Sequence, residues 1–218
     1  CGGGGGGAGG AVTNFVENDL TNLAGSETII NSYSSLLTGF NSTISTGNFA
    51  SLSAIMTSPN AEDIAKANTL LTMLDQAEDL WAQTLTLIES QDADTKLSIY
   101  NSEDYKNAHA ALLYLKNHVK PVIQKVSQGK KLSLTEYNKV ASDKKAQELI
   151  KEEKDNTVET YVTQKKNTIE ETKKLAKETN VAKFNIGTEL RMTFGNALRK
   201  QVKNNPRIYD RLQLLKPT

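Results

Sequence analysis

Two apolar stripes at alternating three- and four-residue spacing limit what this chain can fold into more than any other feature. Ile64, Ala67, Leu71, Leu74, Trp81, Leu85 and Ile88 follow a heptad pattern broken only at Glu78. Tyr105, Ala108, Leu112, Leu115, Val119, Val122 and Val126 keep the same pattern without a break. Residues so spaced share one helix face. Ser58, Pro59 and Asn60 open the first helix, Pro suiting the first turn and Ser or Asn the cap. Glu62 and Asp63 complement the positive end of its dipole, and over 61–90 it would be roughly 45 Å long. Residues 91–101 read as a polar connection, Ser102 as the next cap and Gly129 as the end of the second helix. Two such stripes joined by a loop predict an antiparallel helical hairpin. Pro121 removes the hydrogen bond to the carbonyl of Asn117, which predicts a hinge or, as preferred here, a bend that wraps the helix around its neighbours.

Shorter elements surround the hairpin. Val12, Phe15, Val16, Leu20 and Leu23 recur at helical spacing before Gly25, and Ile29, Ile30, Tyr33, Leu36, Leu37 and Phe40 form a second segment. Residues 41–47 (NSTISTG) read as a loop, followed by an apolar turn with Phe49, Leu52, Ile55 and Met56. Ser133 and Glu136 form a capping box, with Leu132 and Tyr137 placed as its hydrophobic staple. From 141 to 180, 18 of 40 residues are charged and ten are apolar, and Glu170–Lys174 is a supporting pair. Val162, Ile169 and Ala176, spaced by sevens, form a thin seam that calls for a partner to cover it. Thr157–Thr163 is β-branched enough to compete as a strand. Residues 184–194 suit a small hairpin or, preferably, a helix, and Ile208, Leu212 and Leu215 give a last short stripe. The expected fold is mainly α: a helical bundle built on the long antiparallel hairpin, with an extended charged helical arm. The expected segments are a tether over 1–10, a bundle core over 11–132, the arm over 133–183 and a basic C-terminal segment over 184–218.

Charge is uneven although the whole chain carries only +1. Residues 1–100 carry a net −9, 101–132 carry +4, 133–183 carry +1 and 184–218 carry +5. All four arginines (Arg191, Arg199, Arg207 and Arg211) lie in the last segment. Arginine matches carboxylate and phosphate geometry, so this segment could grip anionic headgroups, an envelope polymer or an acidic partner. It could equally pack against the acidic N-terminal half of its own fold or of a neighbouring copy. No nucleic-acid motif accompanies the charge, and nucleic acid is not an expected partner.

Catalytic patterns fail one by one. His109 and His118 are nine apart on one expected helix, on opposite sides of its axis, and cannot share a metal. Asp75, Glu78 and Asp79 read as a solvated face. Asp92-Ala93-Asp94 begins like a calcium loop, but Lys96 takes a ligand position and Leu97 the required glycine. Gly129-Lys130 lacks the upstream glycine of a phosphate loop, and Ser127–Lys130 and Ser142–Lys145 match Ser-x-x-Lys without companion motifs. One cysteine excludes a disulfide framework, and no apolar run is long enough to span a bilayer. Neither a metal nor a cofactor is expected, and the chain does not read as an enzyme.

Cys1 is followed by Gly2–Gly7, Ala8, Gly9 and Gly10, eight glycines in ten residues. Such a stretch reads as a flexible linker with a reach of roughly 16–19 Å. A cysteine followed by a glycine-rich tether resembles the start of a mature bacterial lipoprotein. The resemblance implies signal-peptide removal, a diacylglycerol on the Cys1 sulfur and an acyl chain such as palmitate on its amino group, which leaves no nucleophile there. Two or three acyl chains anchor stably where one does not. Gly2 stands where Asp would imply inner-membrane retention in many Gram-negative bacteria, so the resemblance implies the outer membrane, or the outer face of the single membrane in a Gram-positive cell. The expected role is a lipid-anchored cell-envelope subunit with structural or protein-interaction function, meeting other envelope proteins or copies of itself through Val162, Ile169, Ala176 and the four arginines. The alternatives are a monomeric surface adhesin or host-factor binder, and a helical module for a small molecule or lipid. The last requires a cavity between the N-terminal helices and the hairpin that Trp81 fluorescence would report.

Overall fold

The computed structural model describes the backbone of residues 3–204 and the burial of residues 7–180, Asn196 and Arg199. Ten α-helices occur among the described residues, with no strand: α1 (Gly3–Asn18), α2 (Glu27–Thr46), α3 (Ser53–Met56), α4 (Ala61–Glu89), α5 (Ala93–Asn101), α6 (Glu103–Tyr114), α7 (Lys120–Ser127), α8 (Leu134–Ala141), α9 (Asp143–Glu153) and α10 (Glu159–Asn204). A π turn over Leu115–Val119 joins α6 to α7, and another over Lys154–Val158 joins α9 to α10. The chain divides into two compact units between Ile169 and Glu170. The mainly helical architecture is the one the stripes predict.

Polar caps start the long elements where the sequence places them. The Asn60 side chain accepts from the Asp63 N–H at 2.8 Å and the Asp63 carboxylate answers at the Asn60 N–H, a capping box opening α4. Ser102 Oγ accepts from the Tyr105 N–H, and Ser133 and Glu136 form the box that opens α8. Gly129, at φ +76°, ends α7 in the left-handed region that only glycine enters without strain. The hairpin is antiparallel: Gly129 approaches Ile64, Lys120 pairs with Asp75 at 3.0 Å, and His109 meets Trp81. The interruption expected at Pro121 takes the form of the π turn just before it, in which the Lys120 N–H donates to the carbonyl of Leu115.

Two apolar clusters hold the first unit. One gathers Phe40, Phe49, Leu70, Leu74, Tyr114 and Ile123, and the other Phe15, Leu20, Tyr100, Tyr105, Val158 and Val162. α1 lies on α6 and α9, α4 on α7 and α2.

Several sequence expectations are corrected. The tether over 1–10 is helical from Gly3, and Ala8 is fully buried. Gly9 is buried too, where an added Cβ would lie 3.8 Å from Asn41 Nδ2 and 3.9 Å from Leu37 Cδ2. Burial of the following Val12, Phe15 and Val16 outweighs the glycine entropy that argued for a free linker. The loop expected at 41–47 is the last part of α2: Ile44 is buried, and Thr46 Oγ1 donates back to the Ser42 carbonyl at 2.9 Å. The connection expected at 91–101 is α5, capped by Asp92 and burying Ile99 and Tyr100. The arm expected over 133–183 does not begin at 133, because Val140, Ala146, Leu149 and Val158 are buried in the first unit. The strand that competed at 157–163 does not form, and 184–194 lie within α10, in line with the helix preferred from the sequence.

Gly7→Ala with Gly10→Ala is expected to raise stability by about 1–2 kcal/mol, because both positions in α1 have open space for a Cβ and alanine is the better helix former. Urea unfolding of the double variant checks this; a free tether gives no change.

Candidate functional site

α4 carries two adjacent apolar stripes, and the fold buries the less obvious one. Ala67, Leu70, Leu74, Thr84 and Ile88 are buried, with Ala77 and Trp81 completing the 3,4 spacing half-buried between them. Leu71 and Leu85, core positions by sequence pattern, are half-buried at the edge, as is Glu78. Opposite this edge stand His109, Leu112 and Leu113 of α6, Leu115 and Lys116 of the π turn, and Tyr161 of α10. Between them lies a partly open groove of about 290 Å³.

The floor is aromatic. Trp81 stacks on Tyr105 with ring centres 5.6 Å apart and meets His109 at 5.1 Å, while Phe15 stands edge-on to both Trp81 and Tyr105. Tyr161 stands perpendicular to His109 at 5.0 Å, and Lys165 lies 5.5 Å over the Tyr161 ring. The Tyr105 hydroxyl lies 3.2 Å from Nδ1 of His109. Burial pushes the His109 imidazole down to about 4, so it is neutral at pH 7. Burial likewise pushes the phenols of Tyr105 and Tyr100 well above their ordinary value, the latter helped by its hydrogen bond to Glu89.

Two buried polar atoms on α4 have no hydrogen-bond partner in the protein: Nε1 of Trp81 and Oε1 of Glu78. The nearest cation to that oxygen is Lys120 Nζ, an ion pair at 3.6 Å but too far for a hydrogen bond. Buried groups of this kind are normally satisfied.

The residues singled out by sequence fare differently. Val162 and Ile169, expected to face a partner, are buried in the chain's own core beside Phe15, Tyr100 and Tyr105, whereas Ala176 is exposed. The heptad seam is therefore not one surface: its first two members belong to a core cluster with residues of α1 and α5. Arg199 is exposed on α10; Cys1, Arg207, Arg211 and the side chain of Arg191 lie outside the described residues. His118 Nε2 is 3.0 Å from Glu153, apart from His109. Acidic groups of the first hundred residues meet lysines: Asp75 and Glu78 meet Lys120, and Glu89 meets Lys96 and Lys165. Between the N-terminal helices and the hairpin, where a cavity is expected, lies an open, half-polar cleft of about 700 Å³ lined by Ser32 and Leu36 of α2 and Met73, Gln76 and Leu80 of α4, besides a void of about 20 Å³ where Gly9, Val12 and Phe40 face Leu74; Trp81 borders neither, and the more apolar groove beside it lies inside the hairpin. Its one sequence signal is Glu78, the single charged residue in an apolar stripe.

Among the described residues, no group of three or more His, Cys, Asp or Glu is placed to hold a metal ion, and no helix is long and apolar enough to cross a membrane. The chain matches no protein-family model, no curated protein and no solved structure.

The depressed His109 value has a signed consequence. Its folded pKa of about 4 lies below the ordinary 6.5, so the unfolded chain binds the extra proton first and stability falls as pH drops from about 6.5 to 4. Two and a half units correspond to about 3 kcal/mol. His109→Phe is expected to remove that part of the acid loss, seen as a smaller difference between urea midpoints at pH 7 and pH 4 than in the unaltered protein.

Proposed function

We propose that this chain is a non-enzymatic protein of the bacterial cell envelope, held to the outer membrane by acyl chains on Cys1 and acting as an interaction subunit of a larger assembly. α10 carries this reading. From Glu170 to Asn180 every residue is exposed, including Leu175 at 55% and Ala176. Helices in proteins draw most of their stability from packing an apolar face, and this stretch buries none within the chain. A second envelope protein or a second copy lying along it supplies what is missing. The anchor rests on the resemblance of residues 1–10 to lipoprotein tethers. Native mass spectrometry of protein extracted gently from its own membrane tests both parts. The expected result is acyl mass on Cys1 within a discrete complex, with Cys1→Ala shed into the soluble fraction. A lone acylated monomer moves the reading to an outward-facing adhesin or host-factor binder, and an unmodified cysteine removes the envelope reading.

The groove beside Trp81 favours a second reading, a helical module that binds a small molecule. Its walls are mostly apolar, and its volume stands at the lower end of ligand sites.

A further inference from the structure

We infer, deepening the anchoring part of the first reading above, that one end of the bundle lies against an anionic bilayer surface. Leu52, Met56 and Leu134 enter the headgroup layer there, and Lys130 and Lys131 meet the lipid phosphates.

This is the end where α2 stops, α4 starts and α7 stops. The Lys66 ammonium donates to the Thr46 carbonyl at 2.9 Å, and a Cβ on Gly129 would lie 3.8 Å from Ile64. α3 lies here too, Ala54 bordering a small void with Pro59 and Val126. The start of α8 is tied to it: the Leu132 N–H donates to the Ala54 carbonyl at 2.8 Å, and the Tyr137 hydroxyl to the Ala50 carbonyl at 3.2 Å. Four large apolar side chains are exposed among the described residues, and three sit on these two segments: Leu52 at 61%, Met56 at 71% and Leu134 at 61%. Leu52 and Met56 are four apart, on one side of the α3 turn, whereas Ala54 is buried. Scattered exposed leucines are ordinary, but a gathering at one end marks an interaction surface.

The surrounding charge identifies the occupant. The nearby carboxylates are answered within the fold: Glu62 by Lys66 at 3.2 Å, Asp63 by the Asn60 cap and Glu136 by Lys125. Lys130 and Lys131 are exposed, and among the described residues neither has a carboxylate partner. Protruding apolar side chains beside uncompensated cations match an anionic bilayer, whose phosphates take the lysines and whose acyl boundary takes the apolar tips. A fluid layer also receives such side chains without a matching partner surface. α1 agrees in direction. It runs antiparallel to α2, with Gly9 beside Leu37 and Asn41, so the end of α1 nearest Cys1 in sequence lies toward this same end of the bundle. Contacts this few hold a bilayer only transiently. The patch therefore orients an anchored bundle, and Cys1→Ala is still shed at physiological salt.

The test is flotation of the full chain, unacylated and carrying Cys1→Ser, with vesicles of phosphatidylglycerol and phosphatidylcholine in equal parts at low salt. The expected result is co-flotation that falls as salt rises and is lost on pure phosphatidylcholine. Lys130→Ala with Lys131→Ala is expected to weaken binding roughly 25-fold, about fivefold for each lysine near such a surface. Met56→Gln with Leu134→Gln is expected to weaken it at least about tenfold. Helical circular dichroism stays unchanged in both, because all these side chains are exposed. A polarity-sensitive dye on Met56→Cys is expected to shift to the blue on the vesicles, and one on Ser90→Cys, past the far end of α4, to stay unshifted. Absence of binding, or equal flotation on pure phosphatidylcholine, overturns the proposal. Binding that survives both double variants, as the arginine-bearing C-terminal segment would give, overturns it too, as does a blue shift at both dye positions. Self-association that Met56→Gln with Leu134→Gln abolishes, without vesicle binding, assigns the patch to a second copy instead. Acyl mass on Cys1 with no vesicle binding by the unacylated chain removes this inference and leaves the anchor reading, whereas vesicle binding with an unmodified Cys1 does the reverse.

Discussion

Which face α4 turns inward is the choice on which the rest of this fold depends. The helix offers Leu70, Ala77 and Thr84 on one stripe and Leu71, Glu78 and Leu85 on the next, about 100° round the axis. Both contain leucine, worth about 1.5–3 kcal/mol when fully buried, so apolar content alone does not separate them. Glu78 does. Burying its carboxylate in the seam would cost far more than burying Ala77. The polar member of the chosen stripe, Thr84, is fully satisfied by the Tyr33 hydroxyl and the Leu80 carbonyl, both at 2.7 Å. Glu78 therefore weighs on the register: at the half-buried edge its covered Oε1 still has Lys120 Nζ at 3.6 Å, and Leu85 and part of Trp81 face a groove rather than a core.

Pro121 sets where the second arm of the hairpin changes neighbours. Without its N–H the ladder widens into the π turn at Leu115–Val119; beyond it α7 packs on α4, and before it α6 packs on α1 and α9. Aromatic side chains fill the resulting space between α4 and α6, with Phe15, Trp81, Tyr105 and His109 in mutual ring contact. The second π turn, at Lys154–Val158, is tied to the first through Glu153, which takes His118 at 3.0 Å and Asn117 at 3.3 Å. The groove is thus bordered by one irregular turn and lies close to a linked second one, on a frame fixed by capped helices.

Local signals with local causes were readable in the sequence. Asn60 with Asp63, Ser102, Ser133 with Glu136, and Gly129 mark helix ends through contacts a few residues away, and they stand where the pattern places them. Features with distant causes were not readable. Ile44 keeps the Ser/Thr-rich end of α2 helical through burial against residues far along the chain, and Val162 and Ile169 look like an uncovered seam until they are seen to join a core cluster with Phe15, Tyr100 and Tyr105. The groove was legible only as an anomaly, the carboxylate in the stripe, because an unsatisfied indole N–H is invisible until the helix register is known.

An ordered α1 changes what anchoring at Cys1 would mean. A free ten-residue tether reaches roughly 16–19 Å, but Gly3–Gly10 is helical and Ala8 is buried. An acylated Cys1 would then hold the bundle close to the headgroups. The −9 of the first hundred residues would work against such closeness at an anionic surface were it not answered within the fold. Lys120 lies against Asp75 and Glu78, and Lys165 against Glu89, each lysine coming from a later part of the chain. Exposed pairs of this kind add little to stability. Their weight lies in lowering the long-range negative field of the acidic half.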